Sequence, residues 1–78
     1  MANKRTRNTK YAKEFGRRLK ARMEEFEMTQ TELSKLTGIA QPDISVYISG
    51  KIVPSAITVV KLARALNMTT DELINFEV

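Results

Sequence analysis

The segment from Thr29 to Gly50 constrains this chain more than any other, because it encodes two short helices joined by a tight turn. Thr29 and the Glu three residues later form a capping box, which predicts a first helix over 30–37. Gly38 stands where such a turn needs a positive φ, and a second helix is expected over 41–49. Helices this short bury little surface of their own. The spacing therefore favours a rigid unit that holds the second helix outward.

The charges are divided unevenly along the chain. Residues 1–22 carry nine Lys or Arg and one acid, a net charge of +8, whereas residues 23–78 carry four basic and eight acidic residues, a net charge of −4. A polyanion is the natural partner of such a basic footprint, and an outward-held helix fits the major groove of double-stranded DNA. Taken alone, the charge run is equally consistent with a solvated basic face.

The composition argues against several classes of protein. The 78 residues suffice for one small domain with one core. Cys and His are both absent, so a disulfide framework, a thiolate metal site and the usual general base are missing. The acidic residues lack a spacing typical of metal binding or acid–base chemistry. We therefore expect no enzyme, no metal and no cofactor. No apolar run approaches the roughly 20 residues of a membrane span, so no membrane partner is expected.

Three further helices complete an all-α prediction. Residues 1–8 show no periodicity and are expected to form a flexible basic arm, followed by one domain over 9–78. The further helices are expected from about Thr9 or Lys10 to Phe26, from Ser55 to Leu66, and from Thr69 onward. The apolar positions that give the five helices an inner face are Tyr11, Phe15, Leu19, Met23 and Phe26, then Leu33 and Leu36, then Ile44, Tyr47 and Ile48, then Val59, Leu62, Ala63 and Leu66, and finally Leu73 and Ile74.

Several short motifs occur at characteristic spacings before, within and after the helix pair. They are Phe15-Gly16, Thr29-Gln30, Gly38-Ile39, the run Gln41–Ser45, Gly50-Lys51, Pro54-Ser55, Leu62-Ala63, Leu66 and Asp71-Glu72-Leu73. With these motifs the chain resembles the lambda-repressor-like, or Cro-repressor-like, helix-turn-helix domain over residues 15–74. The resemblance implies a compact five-helix DNA-binding domain with the helix-turn-helix at helices 2 and 3.

The resemblance implies base reading by the outer face of helix 3. The residues at these positions are Gln41, Pro42, Asp43 and Val46. Gln41 takes the leading position, and its amide suits adenine because it can donate to N7 and accept from N6 at once. Val46 can pack on a thymine methyl group. Asp43 can accept from cytosine N4, or it can merely stabilise the first turn of the helix.

Contacts to the DNA backbone are implied for a second set of residues, and such contacts position a protein without reading sequence. This set is Gln30, Ser45, Ser49 and Lys51. Gln30 can also brace the first residue of helix 3. In the N-terminal arm, Lys4, Arg5 and Arg7 either contact the backbone or a minor groove, or form a tail that only aids solubility.

The sequence departs from the family pattern at three places. Many members carry a buried ion pair between helix 1 and helix 3, and here Met23 and Ile48 occupy both positions, so the two are expected to touch. Glu27 replaces the Gly that often ends helix 1. The third departure is an apolar residue at a usually polar position. Together with two C-terminal residues it forms a candidate dimer or partner surface of Ile57, Phe76 and Val78.

These features predict a cytoplasmic, nucleoid-associated transcriptional regulator of the bacterial or phage type. The leading hypothesis is a repressor that acts as a homodimer on a palindromic operator, with one copy of helix 3 in each of two successive major grooves. One alternative is an antitoxin that binds DNA through helix 3 and a toxin through the candidate partner surface, which an anti-repressor could also mask. A second alternative is a protein-interaction module that does not bind DNA.

Overall fold

The computed structural model describes the backbone of residues 3–74 and the side chains of residues 10–74, and this part of the chain contains five α-helices and no strand. The helices are α1 (Asn3–Glu25), α2 (Gln30–Thr37), α3 (Gln41–Ser49), α4 (Ala56–Ala65) and α5 (Thr70–Ile74). The prediction of an all-α chain with five helices is confirmed.

All five helices contribute to one core. The buried apolar residues that form it are Phe15, Leu19, Met23, Leu33, Ile44, Val59, Leu62, Ala63, Leu66 and Leu73. Burying one such large side chain contributes about 1.5–3 kcal/mol, whereas an isolated helix shorter than about 12 residues is marginal in water. The eight residues of α2 and the nine of α3 are therefore stable because Leu33 and Ile44 anchor them to the other helices.

Side-chain caps begin two of the helices as the sequence predicts. At α2 the Glu32 N–H donates to Thr29 Oγ1 at 3.1 Å, and the Thr29 N–H donates to Glu32 Oε1 at 2.8 Å. Thr69 and Glu72 make the same reciprocal pair before α5, at 3.0 and 2.8 Å. Each box satisfies N–H groups that the first turn leaves without a helical partner, so both helix starts are fixed locally.

The ends of α1 and α4 are built alike around a left-handed residue. Glu27 has φ 52° and Asn67 has φ 54°. After α1 the Met28 N–H donates to the Met23 carbonyl at 2.8 Å and the Glu27 N–H to Glu24 at 3.1 Å, which is the Schellman arrangement. Glu27 thus takes the left-handed geometry that a Gly often takes in the family, at a cost of about 1–2 kcal/mol.

α1 begins earlier than the sequence analysis expected, at Asn3 and not at Thr9 or Lys10. No Gly or Pro interrupts residues 3–9, and Lys and Arg are good helix formers, so nothing local stops the helix there. The side chains of these residues, including Lys4, Arg5 and Arg7, lie outside the described part.

Two apolar side chains expected on the inner face are exposed, so both predictions were wrong. Leu36 is 63% exposed and Phe26 is 42% exposed. Three residues correspond to about 300° around a helix, so Leu36 lies beside the buried Leu33 at the margin of the inner face. Phe26 follows the last residue of α1 and lies against the guanidinium of Arg22, whose Cζ is 4.8 Å from the ring centroid.

Arginines of α1 hold the C-terminal helices in place. Arg22 Nε donates to the Leu66 carbonyl at 3.0 Å, and its Nη2 donates to the Asn67 carbonyl at 2.8 Å. Arg18 Nη1 donates to the Glu72 carbonyl at 2.9 Å. A cation at the C-terminus of α4 also complements the negative end of its dipole. Part of the basic charge of α1 is therefore used inside the fold.

Candidate nucleic-acid interface

The turn between α2 and α3 is fixed by the backbone and by short side chains. Gly38 has φ 77°, and its N–H donates to the Ser34 carbonyl at 2.8 Å. Ser34 Oγ donates to the Ile39 carbonyl at 2.6 Å, and the Ile39 N–H donates to Thr37 Oγ1 at 3.1 Å. These bonds leave the turn little freedom, so α3 has a defined direction relative to α2.

α1 supports α3 from the side opposite its solvent face. A Cβ atom on Gly16 would lie 2.7 Å from the Ile48 carbonyl oxygen, closer than side-chain carbons approach such atoms. Ile44 is fully buried, and Tyr47 and Ile48 pack against the core from the same side of α3. The remaining side of this helix therefore faces solvent.

The four predicted base-reading residues lie at the beginning and on the outer side of α3. Gln41, Pro42 and Asp43 form the exposed first turn, and Val46 is half-buried one turn later. Burial and the nearby Asp43 carboxylate raise the pKa of Tyr47, so the phenol stays neutral at neutral pH. The structure thus brings all four side chains to one accessible stretch.

Gln41 is held by a neighbour that the sequence analysis did not identify. Thr31 Oγ1 and Gln41 Oε1 are 3.3 Å apart, so the hydroxyl can donate to the amide oxygen. The family resemblance implies this bracing role for Gln30, but Thr31 makes the contact. The amide oxygen has two lone pairs, and Nε2 keeps both its hydrogens. Gln41 therefore retains a donor and an acceptor for a ligand.

The N-terminus of α2 meets a lysine from α1. A shallow groove of about 250 Å³ has Lys20, Glu24, Thr29, Gln30 and Ile48 in its lining, so it contains one charge of each sign. Gln30 is the first residue of α2, where the helix dipole and unpaired N–H groups favour an anion. The exposed Lys20 adds a full positive charge beside them.

A second lysine of α1 lies directly at the C-terminal end of α3. A Cβ atom on Gly50 would lie 3.0 Å from Lys13 Cα and 3.2 Å from Lys13 Cγ, so the two residues are in close contact. Lys51 follows directly and is exposed. Lys13 and Lys20 are seven residues apart and thus share one face of α1. That spacing is visible in the sequence, but only the packing of α1 on α3 shows which face it is.

Among the side chains that the structure describes, the arginines of α1 are less available than its lysines. Arg17 Nε and Arg18 Nε donate to the carboxylate of Glu14 at 3.0 and 2.9 Å. Arg22 is committed to α4 and to Glu25. The positive charge available to a ligand is therefore smaller than the formal charge of residues 1–22 indicates. The described cations beside α3 are lysines.

The remaining predicted contact residues differ in their surroundings. Ser45 is exposed on the outer side of α3. Ser49 Oγ donates its proton to the Val46 carbonyl at 2.6 Å, so in this structure the hydroxyl has only lone pairs to offer. Among the predicted dimer residues, Ile57 is 70% exposed, while Phe76 and Val78 lie outside the described residues. Ile52 and Val60 are also exposed, at 50% and 39%, and Val60 lies three residues from Ile57 on α4.

Two searches within the described residues gave negative results. No group of three or more His, Cys, Asp or Glu side chains there is placed to hold a metal ion. None of the helices described combines the length and the apolarity that a membrane crossing requires.

The comparisons with known proteins identify a family. A family model described as helix-turn-helix matches residues 19–73, which run from the middle of α1 to α5 and contain the whole α2–α3 unit. A search of curated proteins returned no match, and a search of solved structures returned none either. The match and the five-helix architecture agree with the lambda-repressor-like fold that the sequence motifs predicted. The chain belongs to the lambda-repressor/Cro-like helix-turn-helix family of DNA-binding transcription regulators.

Proposed function

We propose that the chain is a sequence-specific repressor that binds double-stranded DNA as a homodimer on a palindromic operator, in the cytoplasm of a bacterium or on behalf of a phage. The observation that supports this most directly is the placement of α3. Its first turn and outer side are exposed, its inner side is fixed on α1, and two lysines of α1 lie near Ile48 and Gly50 toward its C-terminal end. This is the arrangement that a major-groove reader needs.

In this proposal the roles divide between reading and positioning. Gln41 pairs with an adenine edge, braced by Thr31, while Pro42, Asp43 and Val46 meet neighbouring bases. Positioning on phosphates falls to Gln30 at the α2 N-terminus, to Ser45, Ser49 and Lys51, and to the α1 residues Lys13 and Lys20. Lys4, Arg5 and Arg7 extend the same charge toward the start of α1.

Selection of bound sites from a random duplex library tests this proposal. An inverted repeat with half-sites one helical turn apart is expected, because a two-fold dimer places its two α3 helices about 34 Å apart. The variant Gln41→Ala should relax the preference at one base pair per half-site and weaken binding by about 1–3 kcal/mol. Failure to shift even random duplex at low salt would instead favour the protein-interaction module.

The exposed apolar residues Ile57 and Val60 support self-association, because they lie three residues apart on α4 and therefore on one side of that helix. The same surface would also serve an antitoxin for its toxin, or an anti-repressor. Sedimentation of the full chain separates these functions. The wild type should be a dimer that Ile57→Asp converts to a monomer, with loss of cooperative operator binding. A chain that is monomeric on its own but binds the product of a neighbouring toxin gene would favour the antitoxin.

A further inference from the structure

A second surface, separate from α3, lies between α2 and α4. It is a groove of about 430 Å³ lined by Leu36, Thr37, Lys61, Arg64 and Ala65, and is called the α2–α4 groove below. Leu36 forms an apolar wall that is 63% exposed. A leucine left in water forgoes about 1.5–3 kcal/mol of burial, which a partner that covered Leu36 would recover.

The cations of this groove have no counter-charge within the fold. Lys61 and Arg64 make no ion pair or hydrogen bond with any side chain described, and α4 itself contains no acidic residue. The arginines of α1 behave differently. Arg17 and Arg18 pair with Glu14, and Arg22 pairs with Glu25. The groove therefore offers an apolar wall next to two uncompensated positive charges.

The groove does not lie on the side that presents α3. Thr31 is the α2 residue that reaches Gln41 of α3, and Leu36 is five residues further along, which corresponds to about 140° around the helix. No Cα atom of α4 lies within 8 Å of a Cα atom of α3 in the described helices. A phosphate backbone would also gain nothing from the leucine. An occupant that uses both features is a protein segment.

We propose that the α2–α4 groove binds an acidic amphipathic segment of a partner protein. An apolar side chain of the segment packs on Leu36 and Ala65, and its carboxylates pair with Lys61 and Arg64. The neighbouring groove on the other side of Leu36 contains Phe26, the carboxylates of Glu27 and Glu32, and Lys35, which together carry a net charge of −1. These carboxylates repel acidic groups, so the acidic end of the segment lies over α4 and its apolar end extends toward Phe26.

Titration of the ¹⁵N-labelled full chain with a synthetic helical peptide tests this. The peptide carries Leu at i and i+4 spacing with Glu between, and a matched peptide carries Lys in place of every Glu. The acidic peptide should shift the amide signals of Leu36, Lys61 and Ala65 and leave those of Gln41 and Val46 in place. Leu36→Ser and Arg64→Glu should each weaken binding at least about tenfold. Ala56→Ser, at an exposed position in the first turn of α4, should not.

Four results would overturn the proposal. In the first, neither peptide shifts the groove signals. In the second, the Lys peptide shifts them as strongly as the Glu peptide. In the third, random DNA duplex shifts the same signals, or Arg64→Glu weakens duplex binding as much as peptide binding, which would make the groove part of the DNA surface. In the fourth, the signals move with protein concentration alone, which would identify a second copy of the chain as the occupant. Circular dichroism of each variant shows whether its helices are intact.

Discussion

Gly16 of α1 faces Tyr47 of α3 so closely that a Cβ atom at position 16 would lie 2.6 Å from the Tyr47 carbonyl oxygen. In an ordinary helix interior, Gly→Ala stabilises by about 1 kcal/mol. Here Gly16→Ala should reverse that sign and destabilise the chain by about 3 kcal/mol or more, because two backbone carbonyls of α3 cannot move aside independently. Urea unfolding followed by circular dichroism measures this.

Gly38→Ala is the matched control for that prediction. Gly38 also resists an added Cβ, but only through its φ of 77°, since no atom lies within 4 Å of the position where that carbon would be. We expect a loss of about 1–2 kcal/mol. If Gly16→Ala costs no more than Gly38→Ala, the close approach of α1 and α3 is not what requires glycine.

Glu27→Gly should stabilise the chain. The Glu27 backbone is left-handed at φ 52°, where a Cβ is unfavourable and Gly is not. The gain should be about 1 kcal/mol, reduced by the greater freedom of Gly in the unfolded chain. Ala21→Gly, at an exposed position within α1, should lose about 1 kcal/mol and serves as the control. If Glu27→Gly and Ala21→Gly destabilise the chain equally, the left-handed backbone at Glu27 carries no strain.

Met23 and Ile48 provide an apolar joint between α1 and α3. Met23 is buried, Ile48 packs against the same core, and both line the groove beside Gln30. Their direct contact stays a prediction that a double-mutant cycle can measure. Met23→Arg alone should cost about 3–5 kcal/mol, because it strands a buried charge, and adding Ile48→Glu should recover part of that loss. Strictly additive effects would place the two side chains out of contact.

Lys20→Ala should weaken DNA binding without changing the preferred sequence. A plot of the logarithm of the DNA-binding constant against the logarithm of the salt concentration has a negative slope. The loss of one phosphate contact reduces the magnitude of that slope by about 0.9. Lys61→Ala removes the same charge from α4, away from α3, and should leave the slope nearly unchanged. Electrophoretic shifts of one duplex at several salt concentrations compare the two variants. Equal slopes for both would remove Lys20 from the interface.

Lowering the pH should remove the stabilisation that the ionised Glu14 side chain gives to the folded state. Hydrogen bonds from Arg17 and then Arg18 lower the pKa of Glu14 from 4.5 to about 2. A carboxyl group whose pKa is lowered on folding stabilises the folded state fully at pH values above its ordinary pKa. This stabilisation is lost as the pH falls from 4.5 toward 2. Glu14→Gln should therefore flatten the decline of the urea midpoint in that range. Glu24→Gln, whose carboxylate makes no hydrogen bond with the described residues, should follow the wild type.

The local elements of this fold were predictable because their signals are short-range. The capping boxes at Thr29 and Thr69, the left-handed Gly38 and Asn67, and the apolar stripe of α1 each depend on residues within about one turn. The sequence alone could not determine whether Leu36 is buried or exposed. Its exposure depends on how closely α4 approaches α2, and the spacing of apolar residues within α2 carries no information about that distance.

The candidate interface divides in the same way. The sequence alone determined that α3 opens with Gln41, Pro42 and Asp43 and that a basic segment precedes it, since both are matters of residue type and order. Only the tertiary structure decided which charges accompany that helix. Folding commits Arg22 of α1 to the end of α4. It also places Lys13 against Gly50, and Lys20 in one groove with Gln30 and Ile48. The physical reason is that pairing partners more than 40 positions apart meet only when the core brings their helices together.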